Sequence, residues 1–209
     1  MIINIVCGGI LPSSELFDKH RSNGLNIGVD AGAKWLFENG YQVDIAIGDF
    51  DSVDKKSFEA KETITSSPIK DDTDSQLALV TAIERFPNAT KFQIFGALGK
   101  RIDHELVNLN LAAEPRFTSI KEKIKILDED NEISYLGAGT HVIEHNENFD
   151  YIGFSIVKNV KNFAIESARY TLEASNFEAP RTFGSNEFIG AEPIRVSLAQ
   201  GLLMVIKTK

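Results

Sequence analysis

Cysteine is almost absent from this chain. Cys7 is the only one in 209 residues, so no intrachain disulfide can form, which fits a reducing compartment. No basic run is present either, and the formal net charge is −8. That balance argues against a nucleic-acid surface, where phosphates need neutralising cations. No apolar stretch is long enough to span a bilayer. The opening Met1-Ile2-Ile3-Asn4-Ile5-Val6-Cys7 lacks the basic region and cleavage pattern of a signal peptide. The expectation is a cytoplasmic protein with neither nucleic acid nor membrane as partner. The usual nucleotide fingerprints are missing too. Gly96 to Arg101 is too short for a Walker A loop and has no Ser or Thr after its lysine, and no Gly-x-Gly-x-x-Gly opens a helix after the first strand. No Gly-x-Ser-x-Gly elbow holds a serine nucleophile. The four histidines and Cys7 show no zinc-like spacing.

What is present begins with Gly48-Asp49-Phe50-Asp51-Ser52, two carboxylates one residue apart after the apolar run Ile45-Ala46-Ile47. Aspartate is an ordinary turn former through its own backbone hydrogen bonds. A short acidic turn at a strand end also supplies the oxygen ligands that a hard cation such as Mg²⁺ requires. The neighbours favour the second reading. Ile2–Val6 reads as a strand ending at Gly8-Gly9, and 25–29 as another ending at Asp30-Ala31-Gly32. A helix follows from Ala31 to Asn39-Gly40, then a strand over 44–47, with Ile64-Thr65 as a further short one. Thr73 with Gln76 three residues on is a capping box, and Leu77, Val80 and Ile83 recur on one face of the helix it opens. A strand over 92–95 leads into the Gly96–Arg101 loop. The next helix is expected to take Asp103 as its N-cap and to carry Leu106, Val107, Leu109 and Leu111.

Alternation of strand and helix predicts an α/β N-terminal domain with a mainly parallel, Rossmann-like sheet. Such sheets bind ligands beyond the carboxyl ends of their strands, where all the glycine- and aspartate-bearing loops fall. After about residue 120 the texture changes to short alternating runs with Asn, Gly and Asp between them. This predicts an all-β sandwich and two domains, 1–120 and 121–209. In it, 151–157 and 163–166 read as separate strands, and 194–198 and 202–206 as a pair joined by a turn at Ala199-Gln200-Gly201. On residues alone, the first domain is a phosphate-binding α/β protein. Asp74 in the first turn of its helix adds a third carboxylate to Asp49 and Asp51. Arg101 is placed to fork onto phosphate oxygens.

The ordered set Asp30-Ala31-Gly32-Ala33, Gly48-Asp49-Phe50-Asp51-Ser52, Lys70-Asp71-Asp72-Thr73-Asp74 and Gly99-Lys100-Arg101-Ile102-Asp103-His104 with Asn108 resembles the thiamine pyrophosphokinase family. Phe183-Gly184-Ser185-Asn186-Glu187-Phe188 looks like that family's late Ser-Asn motif. The resemblance implies diphosphoryl transfer from ATP to the hydroxyl of thiamine, leaving AMP. It also implies a homodimer with active sites between subunits. It assigns Mg²⁺ to Asp49, Asp51 and Asp74, and these with Asp103 to catalysis. Asp30, Lys70, Thr73, Arg101 and Asp103 fall on the nucleotide and diphosphate path, and Ser185 and Asn186 on the thiamine. Lys100 stands where relatives usually carry a second glycine, and either adds a phosphate contact or narrows the loop. Glu166 to Leu172 is a degraded version of a family segment. Two other readings compete. Asp49-Phe50-Asp51-Ser52-Val53 also matches the Asp-x-Asp-x-Val opening of haloacid-dehalogenase phosphatases, although two strands precede it here. A non-catalytic nucleotide or thiamine sensor on the same scaffold is the other.

Overall fold

The computed structural model describes residues 1–50, 57–66 and 71–209. The chain folds into two compact units, Met1–Leu111 with Lys125–Glu129, and Ala112–Ile124 with Asp130–Lys209. Among the described residues no helix is long and apolar enough to cross a membrane.

In the first unit the strands run β4 (Glu62–Thr65), β3 (Ile45–Gly48), β2 (Leu25–Val29), β1 (Ile2–Val6), β5 (Lys91–Phe95) and β6 (Ile124–Leu127) across the sheet. The four ladders from β4 to β5 are parallel. Helices α1 (Ser14–Arg21) and α2 (Ala31–Glu38) pack on β1 and its neighbours, while α3 (Asp74–Arg85) packs on β1, β2 and β3. One core gathers Val6, Ala46 and Phe95 from the strands with Phe17, Ala33 and Leu36 from α1 and α2. Phe17 is fully buried, with ring centroids 5.3 Å from Trp35, 4.7 Å from Tyr41 and 5.0 Å from Phe95.

A buried polar row crosses this apolar sheet. Asn4 pairs in register with Asn26 on one side and Gln93 on the other. Asn4 Nδ2 donates to Asn26 Oδ1 at 2.9 Å, and Gln93 Nε2 donates to Asn4 Oδ1 at 3.2 Å. Asp44 Oδ2 accepts from Asn26 N at 2.9 Å, and Asp44 Oδ1 accepts from Lys61 Nζ at 2.8 Å. The row also reaches the end of α1, where His20 O and Arg21 O accept from Gln93 and Asn4. Carbonyls at a helix C-terminus lack intrahelical donors, so these amides satisfy two groups that burial would otherwise penalise.

Helix α3 starts at the expected capping box, with Thr73 N donating to Gln76 Oε1 at 2.8 Å. Its buried face differs from the expected one. Ala78, Leu79 and Ala82 are buried, whereas Leu77, Val80 and Ile83 are only partly so. Small side chains let the helix lie close on the sheet, and periodicity that counts only large apolar residues misplaces that face. Helix α4 (Ile102–Asn110) departs in two ways. Its N-cap is Arg101, not Asp103, which sits inside the first turn. Its buried residue is Asn108, while Leu106 is exposed.

Beyond the short 3₁₀ turns Pro115–Phe117 and Lys121–Lys123, the second unit is all β, with strands β7 (Asn131–Leu136), β8 (Gly139–Ile143), β9 (Tyr151–Glu166), β10 (Leu172–Phe177), β11 (Thr182–Asn186), β12 (Ile194–Leu198) and β13 (Gln200–Thr208). All its described ladders are antiparallel. The two runs expected at 151–157 and 163–166 are one 16-residue strand, β9. Its first half pairs with β13 and β11, its second half with β12 and β10. Ile152, Phe154 and Ile156 share a core with Phe163, Ile165, Val196 and Val205, so both halves of β9 face the same interior. Asn162, at φ 53, lies in the stretch between the two apolar runs. Gln200 and Gly201, expected in a turn, belong to β13, where the register with β9 shifts. Strands β10 and β11, which carry few large apolar residues, are additions.

Replacing Asn26 with Ala should strand the Asn4 Nδ2 donor and the Gln42 carbonyl, which accepts from Asn26 Nδ2. The expected cost is about 2 kcal/mol, read as a lower urea midpoint at unchanged m-value. A variant as stable as the parent would mean that the polar row contributes nothing.

Candidate active site

Strand order reverses at β1, which lies between β2 and β5. In open parallel sheets such a reversal, at the carboxyl ends of the strands, is where ligands bind. The loops after β1 and β5 stay zippered beyond the strands, with Gly9 N donating to Gly96 O at 2.7 Å and Ile10 N to Leu98 O at 2.8 Å. A Cβ on Gly9 would overlap Gly96 O, so the close approach requires glycine.

A cavity of about 300 Å³ opens there, lined by Cys7, Gly8, Asp30, Thr73, Asp74, Gly96, Lys100, Arg101, His104 and Asn108, among others. Of the residues expected at the site, Asp30, Thr73, Asp74 and Arg101 therefore meet in one place. Asp49 follows β3 on the turn whose Gly48 packs against the Asp30 carboxylate, so closely that a Cβ on Gly48 would overlap Asp30 Oδ1. The next residue, Phe50, has φ 54, a strained conformation for a bulky side chain. Burial of its ring beside Phe58, centroids 5.6 Å apart, holds it there. Asp51 and Lys70 lie outside the described residues.

Asp74 sits in the first turn of α3 and its Oδ1 accepts from Ser66 Oγ at 2.7 Å. Ser75 Oγ donates to Asn108 Oδ1, and Asn108 Nδ2 donates to Ala97 O, both at 2.7 Å. Asn108 thus ties the start of α3 to the loop after β5. A polar residue in the middle of the apolar stretch 106–111 is the sequence signal for it. Glu105 was not anticipated as part of this site. Its Oε1 accepts from Gly99 N at 2.7 Å and Lys100 N at 3.1 Å, fixing the glycine-bearing loop. Only the folded loop reveals that contact.

Arg101 and Asp103 form an exposed pair, Nη2 to Oδ2 at 2.6 Å and Nε to Oδ1 at 3.2 Å. The guanidinium holds the Asp103 carboxyl down to about 2, with the His104 N–H helping. A carboxylate that acidic is a poor proton acceptor at neutral pH; what it does in this structure is orient Arg101. Burial, together with the Asp30 and Asp74 carboxylates, pushes the Cys7 thiol up to about 12. Asp30 and Asp74 present carboxylate oxygens to the cavity. That donor set fits Mg²⁺ better than a soft metal.

Ser185 and Asn186 belong to β11 in the second unit. Ser185 is exposed at φ 56. Asn186 is buried, its Oδ1 accepting from Tyr170 N and Glu187 N, each at 2.9 Å, and its Nδ2 donating to Tyr170 O at 2.8 Å. Arg169 N donates to Glu187 O, and Ala168 bridges Phe188. The two late segments marked in the sequence, 166–172 and 183–188, are therefore joined.

Residues 18–126 match the family model described as thiamin pyrophosphokinase, catalytic domain. The chain belongs to the thiamine pyrophosphokinase family. Thiamine pyrophosphokinase of Bacillus subtilis (strain 168) is 33% identical over 219 residues, covering 99% of this chain and 98% of that relative. The crystal structure of a thiamin pyrophosphokinase family protein from Enterococcus faecalis superposes with a TM-score of 0.90 at 32% identity, covering 100% of this chain and 99% of that one. The Bacillus subtilis thiamine pyrophosphokinase structure gives 0.86 at 30%, with 100% and 99% coverage. These are matches to the fold and family; neither a phosphatase nor a sensor is among them.

Two outcomes follow from the geometry. Gly48→Ala should displace Asp30 and lower kcat/KM by about 100-fold with the far-UV circular dichroism unchanged; retention of full activity would disconnect the Asp30 contact from catalysis. Cys7 should resist iodoacetamide at about pH 8.5, where an ordinary thiol is half ionised, and react once the chain is unfolded in urea. Equal rates in both states would contradict the raised thiol.

Proposed function

We propose that this chain transfers the diphosphoryl group of ATP to the hydroxyl of thiamine, giving thiamine diphosphate and AMP. The observation that carries the reading is the convergence of Asp30, Thr73, Asp74 and Arg101 on one cavity at the strand-order reversal, within a chain of this family. The first unit then acts as a Rossmann-like nucleotide domain. The second, a β-sandwich, supplies thiamine contacts through Ser185 and the Asn186-anchored Tyr170 segment. In a homodimer those contacts come from the partner subunit. A cytoplasmic location suits a chain whose single thiol is free and buried.

Asp49, Asp51 and Asp74 would hold Mg²⁺, which supplies charge neutralisation at the phosphate oxygens. Arg101, held in orientation by Asp103, would contact the diphosphate, the role that the family resemblance also gives Lys70. Thr73 and the N-terminus of α3 present a positive helix end to the same anion. Asp30 lines the nucleotide side. The thiamine oxygen attacks the β-phosphorus, the bond from that phosphorus to the α–β bridging oxygen breaks, and AMP leaves with the bonding pair. The hydroxyl proton passes to a carboxylate of the cluster. Positioning and charge stabilisation suffice, with no covalent intermediate on the protein. Thiamine is cationic, so an acidic site also favours its approach.

The test is incubation with thiamine, ATP and Mg²⁺. Thiamine diphosphate and AMP should accumulate in equal amounts, and Asp74→Asn should lower kcat by about 100-fold or more while keeping the Ser66 hydrogen bond. ADP or free phosphate in place of AMP would sink the reading. Saturable ATP binding without turnover would point to a sensor.

A further inference from the structure

The cavity at the ends of β1 and β5 carries two strong cations among its lining residues, and they are held differently. Arg101 is forked onto Asp103. Lys100 Nζ donates to a neutral acceptor, the Gly8 carbonyl, at 2.8 Å, and among the described residues no carboxylate pairs with it. Its backbone N–H is held by Glu105, and its side chain lines the cavity and reaches the turn after β1. Asp30 and Asp74 line the same cavity, and the protein as a whole carries a net charge of −8. A polyphosphate entering such a cavity meets repulsion that a cation near the mouth relieves.

We propose that Lys100 exchanges the Gly8 carbonyl for the phosphate oxygens of the bound nucleotide and thereby sets this chain's affinity for it. The inference rests on the diphosphoryl-transfer reading of the cavity. The Gly8 carbonyl offers the ammonium only a dipole, whereas a phosphate oxygen carries net negative charge, so the exchange adds a charge–charge attraction. The Nζ sits at the end of a flexible four-carbon stem, and the swing leaves the loop itself held by Glu105. Arg101 would have to share its fork with Asp103 to do the same.

The full chain, with Mg²⁺, is titrated with ATP and with adenosine, for the parent, Lys100→Met and Lys100→Arg. Lys100→Met should weaken ATP by about tenfold, leave adenosine unchanged, and raise KM for ATP with kcat nearly constant. Lys100→Arg should recover most of the loss. If Lys100 only ties the loop to Gly8, the methionine variant will show a lower Tm and weaken ATP and adenosine alike, which overturns the proposal. A parent that makes thiamine diphosphate beside a methionine variant of unchanged ATP affinity removes this inference and leaves the function standing. A parent that binds no ATP removes both.

Discussion

The register of the parallel sheet is the constraint on which the first unit depends. Parallel strands buried on both faces are near-continuous apolar runs that slide past one another at little cost in side-chain burial. Asn4, Asn26, Gln93 and Asp44 prevent this, because a slip would leave several buried amides and a buried carboxylate without partners. With that row aligned, β1, β2, β3 and β5 finish at matched heights. The turns at Gly8, Asp30, Gly48 and Gly96 then open on the same side. A polar row across the sheet thus fixes the geometry of the cavity at the strand ends.

Much of this was legible in the residues. The capping box of α3 is a local motif whose hydrogen bonds need no tertiary context, and it folds as read. Strands ending in glycine and aspartate pointed to the cavity, because the rule relating ligand sites to strand ends acts at the level of topology. Other features hinge on distant contacts. The stretch Lys158-Asn159-Val160-Lys161-Asn162 reads as a break, yet β9 runs through it because β13 pairs with Lys158 and Lys161, and β10 with Val160. Asp103 looks like a cap, but the nearby guanidinium of Arg101 takes its carboxylate instead. Glu105 is an unremarkable helix residue until the loop after β5 folds over it. Asn186 was read as a ligand contact, and its polar atoms engage the Tyr170 segment, which makes it a scaffold for whatever that segment touches.

Strain in the site is concentrated where the sheet can support it. Phe50 and Asp30 both adopt left-handed backbone conformations at the ends of adjacent strands. Each is held by a contact that has nothing to do with substrate: a buried ring beside Phe58, and a ladder hydrogen bond from Asp30 N to Ile47 O at 3.0 Å. Such over-determined turns keep carboxylates in place against mutual repulsion, which a flexible loop would relieve by drifting apart.

The pairing of β9 bears on how the second unit is made. It is hydrogen-bonded to β10, β11, β12 and β13, and the last of these ends at Thr208. On the ribosome, then, β9 emerges with its ladder edges unsatisfied and must wait for more than thirty further residues before β13 can close it. Until then its apolar residues are available to chaperones or to other nascent chains. Slower synthesis between Glu166 and Thr208 would prolong that exposure.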